Sequence, residues 1–247
     1  MSQIEPIVNS GTAPLANVSL CLNALQRAIS RPSHLPGLVC LYGPSGLGKT
    51  TSATYAANRH RAYYVEAKSV WTKKALVQAI LKEMGIVPNS TVASMVDQIA
   101  EQLALSGRPL IVDEMDHIVE RNNVELIRDI YEGSGNAILI IGEEQLPHKL
   151  SRWERFHGRV LDWIPAQFAT FADAIALRKL YCPKVEIADD LLKRVLEISR
   201  GSVRRICVNL ELIQENALSQ GINCMDLSGW GKRELYSGEA SRRQVRI

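Results

Sequence analysis

Residues 43–50 combine glycines with a lysine and a threonine in a spacing suited to binding phosphate. They match the pattern G-x-x-x-x-G-K-[ST] at every fixed position. Glycines let successive backbone N–H groups point at phosphate oxygens, the lysine adds charge for the β- and γ-phosphates of ATP, and the final hydroxyl suits Mg²⁺. The predicted nucleotide-binding residues are Gly43, Pro44, Ser45, Gly46, Leu47, Gly48, Lys49, Thr50 and Thr51, with Thr50 also a metal ligand.

The segments on either side of this loop indicate a strand before it and a helix after it. Residues 38–42 are short, apolar and partly β-branched, which predicts a buried strand. Residues 50–57 continue as a helix. A helix N-terminus next to the loop adds partial positive charge for an anion, so this context supports a nucleotide-binding loop rather than an incidental glycine turn.

A pair of acids, Asp113 and Glu114, forms the second chemical feature. They end an apolar run that starts at Pro109, and Asp113 follows Lys49 by 64 residues. This pattern is typical of a Walker B strand, in which the first acid holds Mg²⁺ beside Thr50 and the second polarises the attacking water. Static nucleotide binding does not need the second carboxylate, so the pair favours ATP hydrolysis.

Strands and helices alternate through the first two thirds of the chain and predict an α/β protein with a largely parallel sheet. From Phe168 we expect helices and no further strand. The predicted domains are an α/β nucleotide-binding domain at 1–164, a small helical lid at 165–225 and a basic C-terminal tail at 226–247. Further strands are expected at 62–66 and 137–142, and further helices at 15–29, 73–84 and 91–105.

The bulk composition narrows the class of protein. The chain has 247 residues, a net charge of +3 and five widely spaced cysteines without a C-x-x-C pair, which argues against a disulfide framework and a zinc site. No secretory leader or membrane span is recognisable, so a cytoplasmic protein without a membrane partner is expected. The small net charge means that any DNA-binding surface must be a local concentration of basic residues.

A basic stretch at 149–159 contains three arginines: Arg152, Arg155 and Arg159. The stretch follows the predicted strand at 137–142, so it lies near the expected nucleotide edge of the sheet. Two interpretations are open at this point. The stretch is a solvated basic helix, or one of its arginines reaches the γ-phosphate in a neighbouring subunit.

Taken together, these features resemble the AAA+ ATPases: a P-loop domain, a Walker B Asp-Glu, a later arginine-bearing segment and a small helical lid. The last long helix of the lid opens with Gly201-Ser202-Val203-Arg204-Arg205, which is similar to the sensor 2 motif of that superfamily. The resemblance implies that Arg204 approaches the γ-phosphate and that Arg152, Arg155 or Arg159 acts in trans. The residue corresponding to sensor 1 stays open, because the fourth strand ends at Gly142.

Within the superfamily, the sequence resembles the transposition target-DNA regulators, the group of the phage Mu protein MuB and its relatives in Tn7-like elements. The similarity covers roughly residues 10 to 220 and includes Thr12-Ala13-Pro14, residues 110–116 and residues 140–146. It implies a homo-oligomer, filament or ring, that binds double-stranded DNA without sequence preference and recruits a transposase. Thr72, Lys73 and Lys74 occupy the region that contacts DNA in these relatives.

Alternatives stay open on the sequence alone. A helix start that faces solvent would also explain Thr72, Lys73 and Lys74, although lysines in a first turn oppose the helix dipole and favour a partner anion. A replication-initiator or helicase-loader relative, or a secretion-associated ATPase, would carry the same nucleotide motifs. A nucleotide-gated scaffold without turnover is disfavoured by Glu114.

Overall fold

Short runs of aliphatic residues form a parallel five-stranded sheet in an α/β unit of the chain. The computed structural model describes residues 11–239. Strands pair in the order β2-β3-β4-β1-β5, and every pairing is parallel. The strands are β1 (Leu38–Tyr42), β2 (Tyr63–Glu66), β3 (Leu110–Asp113), β4 (Ile138–Gly142) and β5 (Val160–Pro165).

The centre of this sheet is its most hydrophobic part. All of β4 and all of β3 are buried, as is β1 except for Tyr42. Each fully buried branched aliphatic side chain contributes roughly 1.5–3 kcal/mol. Because side chains on both faces of a parallel sheet need cover, helices pack on both sides and the carboxyl ends of the strands form one edge.

The first four helices of the α/β unit follow the sequence expectations closely. The helix that starts after the glycine loop begins at Lys49, and the helix ended by Gly107 has Thr91 as its N-cap. The helices are α1 (Ala16–Ile29), α2 (Lys49–His60), α3 (Lys73–Glu83), α4 (Val92–Ser106), α5 (Met115–Glu120), α6 (Val124–Ser134), α7 (Leu146–Leu150) and α8 (Glu154–His157).

A second, helical unit contains residues 11–16, Gly46–Gly48 and 168–239. Its first helix starts with a capping box, in which Thr170 and Asp173 satisfy each other's backbone N–H groups. The elements of this unit are α9 (Phe171–Tyr181), β6 (Glu186–Ile187), α10 (Asp189–Ser199), α11 (Val203–Ser219), β7 (Cys224–Met225) and α12 (Leu227–Trp230).

The structure corrects the sequence expectation that no strand occurs after Phe168. Residues 186 and 187 pair in parallel with residues 224 and 225. The short ladder continues on both sides, because Glu186 N donates to Asn223 O (2.8 Å) and Ala188 N donates to Met225 O (2.9 Å). Two extended residues without periodicity carry no sequence signal, but their backbone groups still need partners.

The last strand of the main sheet, β5, was also missed by the sequence expectations. It pairs with β1 at the edge of the sheet and is only partly buried. The stretch 149–159 contains the end of α7 and the whole of α8, and it is therefore not one continuous basic helix.

The predicted tail at 226–247 differs from the structure over its first part. Residues 226–239 belong to the helical unit, where the backbone of Tyr236 exchanges two hydrogen bonds with the buried side chain of Asn209. Residues 240–247 lie outside the described residues. Within residues 11–239, no helix is both long and apolar enough to cross a membrane.

Candidate functional site

The glycine loop between β1 and α2 has the backbone that its sequence predicts. Gly46 and Gly48 have φ values of 84° and 80°, in the left-handed region that favours glycine. Lys49 begins α2 and donates from Nζ to Gly43 O (2.7 Å) and Pro44 O (2.9 Å). The lysine therefore already lies over the loop whose carbonyls it contacts.

The charge state of Lys49 reflects two opposing influences. Partial burial lowers the pKa of its ammonium group, while the nearby carboxylates of Asp113 and Glu114 act in the opposite direction. An anion bound at the loop would add to the second influence. The lysine is thus placed to keep its charge when phosphate is present.

Within the helical unit, Gly46 contacts the start of α11. Arg204 N donates to Gly46 O (3.0 Å), and the Ser202 hydroxyl donates to the same oxygen (3.4 Å). A Cβ on Gly46 would lie 2.8 Å from Ser202 Oγ, so this approach requires glycine. The segment that carries the sequence-predicted Arg204 therefore contacts Gly46 through its backbone.

Asp113 ends β3 and is 2% exposed. Its Oδ1 accepts from the backbone N–H of Glu114 (2.8 Å), and its Oδ2 accepts from the hydroxyl of Tyr64 on β2 (3.0 Å). Each oxygen keeps a further lone pair. The carboxylate is therefore oriented by two donors while it can still accept from a metal-bound water.

Glu114 follows in a conformation that is rare outside glycine. Its φ of 55° and ψ of 42° lie in the left-handed region, at a cost of about 1–2 kcal/mol. Burial raises the pKa of its carboxyl group, and the charge of Asp113 adds to the increase. A strained backbone and a more basic carboxylate are both typical of a group that accepts a proton from water.

This set of residues fits a magnesium nucleotide. Among residues 11–239 no cluster of three or more His, Cys, Asp or Glu side chains could hold a metal ion alone. Mg²⁺ in nucleotide sites usually takes only one or two protein ligands and completes its shell with phosphates and water. One oriented carboxylate, Asp113, with the hydroxyl of Thr50 at the start of α2 is the donor set that such a site needs.

Comparisons with known proteins agree with this geometry. Residues 33–150 match the family model described as AAA domain. The structure of the ORC2 protein of Aeropyrum pernix in ADPNP-ADP complexes is similar, with a TM-score of 0.66 and 14% identity over 88% of this chain and 67% of that chain. The fold is that of the AAA+ ATPases.

Two further AAA+ neighbours are the ORC1 protein of A. pernix in complex with DNA and the RuvB Holliday junction branch migration motor of Thermotoga maritima. ORC1 gives a TM-score of 0.61 and 18% identity over 87% of this chain and 63% of that chain. RuvB gives a TM-score of 0.59 and 21% identity over 87% of this chain and 67% of that chain. The chain thus spans about two thirds of these neighbours' lengths. A comparison with curated sequences gave no significant match.

The three arginines predicted to act between AAA+ subunits differ in their surroundings, although all are exposed. Arg159 is engaged in its own subunit, because Nε and Nη2 contact Glu132 Oε1 at 3.0 and 2.9 Å. The Arg152 guanidinium lies 5.4 Å from the ring centre of Trp153. Among the described residues, Arg155 has no ion-pair or cation–π partner. Arg155 is therefore the arginine best placed to meet another molecule.

The predicted DNA-contacting residues lie at the start of α3. Thr72 is its N-cap, and its Oγ1 accepts from Ala75 N (3.2 Å), so this hydroxyl also has a structural role. Lys73 and Lys74 are exposed. Lys68, four residues before Thr72, is exposed as well, and its ammonium lies 5.7 Å from the ring centre of Trp71.

The loop that leads to these lysines is joined to β3. Ala67 N donates to Asp113 O (2.9 Å), one residue beyond the ladder pair of Glu66 and Asp113. Arg121, just after α5, donates from Nε to Ser69 O (2.5 Å). The loop that precedes Lys73 and Lys74 is therefore attached to the strand that carries the predicted metal ligand.

Sequence reasoning did not identify Tyr64, Asp116 or Lys149 as part of the site. Tyr64 lies in β2, a strand that the sequence predicts. Because side chains alternate between the two faces of a strand, the sequence also places Tyr64 on the face opposite Tyr63. Nothing in the sequence reveals the contact of Asp116 with Lys149, because 33 residues separate them.

Proposed function

We propose that the protein is an ATP-dependent, sequence-independent DNA-binding ATPase that oligomerises on target DNA and recruits or stimulates a transposase. Nucleotide binding and hydrolysis are assigned to the AAA+ site around Lys49, Asp113 and Glu114. DNA binding is assigned to the surface formed by Lys68, Lys73 and Lys74.

The hydrogen bond from Ala67 N to Asp113 O is the observation that carries this proposal. This bond joins Asp113, the proposed metal ligand, to Ala67, which begins the loop that leads to the proposed DNA-binding lysines. A change at the end of β3 on nucleotide binding or hydrolysis would therefore reach the loop that carries Lys68 through this backbone hydrogen bond. This connection gives a physical reason for DNA affinity to depend on the nucleotide.

In the proposed reaction, Lys49 binds the β- and γ-phosphates, and its contacts with Gly43 O and Pro44 O hold its side chain over the loop before phosphate arrives. Thr50 and Asp113 would hold Mg²⁺, which would neutralise charge that develops on the phosphates. Glu114 orients the attacking water and accepts its proton, a role that its raised pKa favours.

Oligomerisation, which the resemblance implies, would compensate for the weak charge of a single subunit. With a net charge of +3, one subunit offers few phosphate contacts, and each is weak at physiological salt. Stacking subunits along one duplex repeats the same small surface, so that weak contacts add along one ligand. Arg155 would complete the site of a neighbouring subunit in such an assembly.

The transposition role rests on the resemblance of the sequence to target-DNA regulators. A second candidate is an initiator- or loader-like ATPase, favoured by the similarity of the fold to ORC2 and to ORC1 in complex with DNA. The two candidates differ in what they require of the DNA. A target regulator binds any duplex, whereas an initiator prefers particular sequences.

The testing experiment measures retention of a random-sequence duplex with ATP, with ADP and without nucleotide, across a salt series. We expect retention with ATP only, a steep decrease with salt, and equal retention of several unrelated duplexes. Tight, salt-insensitive binding without nucleotide would contradict the proposal. Strong preference for one duplex over the others would favour the initiator candidate, and ATP turnover that rises on adding a transposase of the MuB-dependent type would favour the transposition role.

A further inference from the structure

The carboxylate of Asp116 joins three segments of the AAA+ unit. Its side chain is 4% exposed, and Oδ1 accepts from Lys149 Nζ (2.8 Å). Oδ2 accepts from the backbone N–H of Glu143 (2.6 Å). One buried side chain on α5 therefore holds both the residue after β4 and the end of α7.

Gly142 leaves the space that this carboxylate needs. A Cβ at position 142 would overlap Asp116 Oδ2 and would also meet the side chain of Leu146. The strand end that carries a polar side chain in many AAA+ proteins is therefore occupied here by a carboxylate from α5. This contact explains the glycine, whose backbone needs no unusual conformation.

Lys149 is held by two acids of the same helix. Its ammonium contacts Asp116 Oδ1 and lies 3.5 Å from Glu120 Oε1. The hydrogen bond to Asp116 raises the pKa of Lys149, with smaller contributions from both charges. Lys149 therefore stays charged, and removing it would leave a buried carboxylate with its main partner missing.

The segment after Lys149 is a short, well-anchored arm. Leu150 and Phe156 are fully buried, and backbone bonds link Trp153 N to Leu150 O (3.0 Å) and His157 N to Trp153 O (2.8 Å). Arg155 precedes the buried Phe156 and is exposed. Because the arm is continuous from Lys149 to Phe156, a shift of the lysine would move Arg155.

Asp116 also lies close to the proposed chemistry, two residues after Glu114 at the start of the same helix. We infer that Asp116 and Lys149 are positioning residues that couple the Glu114 end of β3 to the arm carrying Arg155. Through this ion pair, the state of the nucleotide in one subunit sets how Arg155 is presented to its neighbour. The inference rests on the proposed ATPase function and on trans action of Arg155.

Three variants separate this role from simple packing. Lys149→Met keeps most of the length and the apolar character of the stem and removes the charge, while Lys149→Arg keeps the charge. Lys82→Met, an exposed lysine on α3, is the control for the same substitution elsewhere. We expect Lys149→Met to lower kcat at least tenfold with KM for ATP unchanged, and we expect Lys149→Arg to restore much of the loss and Lys82→Met to have no effect.

Mixing two kinds of subunit then shows whether the defect lies in the subunit that supplies Arg155 or in the subunit that hydrolyses ATP. Glu114→Gln subunits cannot hydrolyse ATP but keep Arg155, so they should restore turnover to Arg155→Ala subunits in mixed assemblies. Lys149→Met subunits should be restored in the same way. A Lys149→Met protein that stays inactive in the mixture, although it binds a fluorescent ATP analogue normally, would overturn the inference.

A measurement without nucleotide provides the independent readout. Hydrogen exchange of peptides covering 143–157 should be faster in Lys149→Met than in the parent and should return towards the parent rate in Lys149→Arg. Unchanged exchange in Lys149→Met, or normal turnover in Arg155→Ala, would refute the inference while leaving ATP hydrolysis intact. Absence of ATP hydrolysis by the parent would instead refute the proposed function.

Discussion

The hydroxyl of Tyr64 donates a hydrogen bond to Oδ2 of Asp113 at 3.0 Å and so fixes the orientation of the proposed magnesium ligand. We expect Tyr64→Phe to raise the Mg²⁺ concentration for half-maximal ATP hydrolysis by roughly tenfold or more, because partners that orient a metal ligand typically contribute this much to affinity. A magnesium titration of turnover measures the effect.

Tyr63→Phe is the matched control for this change. Tyr63 is the preceding residue of β2, and its hydroxyl accepts from Gln102 Nε2 (3.0 Å) on the other face of the strand. We expect its magnesium dependence to equal that of the parent. If the Mg²⁺ concentration for half-maximal hydrolysis rose equally in both variants, the effect would come from a general disturbance of β2 and not from the hydrogen bond between Tyr64 and Asp113.

Lys49→Ala and Glu114→Gln should separate binding from hydrolysis. The first removes the charge that meets the phosphates, so ATP binding should be lost. The second leaves Asp113 and Lys49 in place, so binding should persist while turnover stops. Equilibrium binding of a fluorescent ATP analogue with a phosphate-release assay tests both. Equal ATP affinity in Lys49→Ala and the parent would contradict the nucleotide-site assignment.

Arg155→Ala should lower hydrolysis in the assembled state by about 10³-fold, the scale on which arginine fingers act. Arg159→Ala should have a much smaller effect, because this guanidinium already pairs with Glu132 at the surface. Arg152→Ala serves as the second comparison. Normal hydrolysis by all three variants would show that none of these arginines acts in trans.

The double variant Lys73→Glu, Lys74→Glu should lose DNA retention and keep ATP binding, since neither lysine contacts the nucleotide loop. The control is Lys82→Glu, Lys179→Glu, which makes the same change in net charge at exposed positions of α3 and α9. If both double variants lose DNA equally, the effect comes from overall charge and not from the surface at the start of α3.

Gly142→Ala should lower the free energy of unfolding by about 1–3 kcal/mol, the usual cost of forcing an extra group into a packed site. Gly158→Ala is the control, because its new Cβ would lie 3.5 Å from Glu154 O in ordinary contact. Urea unfolding of both variants tests the comparison. A Gly142→Ala protein as stable as the parent would contradict the close fit of Asp116 to the strand end.

The sequence predicts most of the sheet, because its central strands are aliphatic runs bounded by turns. The prediction of β1 agrees with the structure at both ends, and the parallel AAA+ fold is confirmed. β5 is harder to recognise because an edge strand is only partly buried and tolerates Pro165 at its end. The two-residue strands β6 and β7 depend wholly on backbone partners that are distant in sequence.

The candidate site also contains some residues that the sequence reveals and others that it does not. Lys49, Asp113 and Glu114 belong to local motifs whose spacing alone indicates their chemistry, although their roles stay predictions. The contacts of Tyr64 with Asp113 and of Asp116 with Lys149 exist only after the strands pair and the helices pack. Positioning residues of this kind are set by tertiary structure, so a local pattern cannot reveal them.

Because Gly142 and Asp116 fit closely together, the residue tolerated at either position during evolution depends on the residue at the other. A polar side chain at the end of β4 would be destabilising while Asp116 is present, because the new side chain would collide with its carboxylate. A smaller residue at position 116 would have to come first, at the cost of the partner of Lys149. Homologues should therefore vary at these two sites together, with glycine at 142 wherever the acid at 116 is kept.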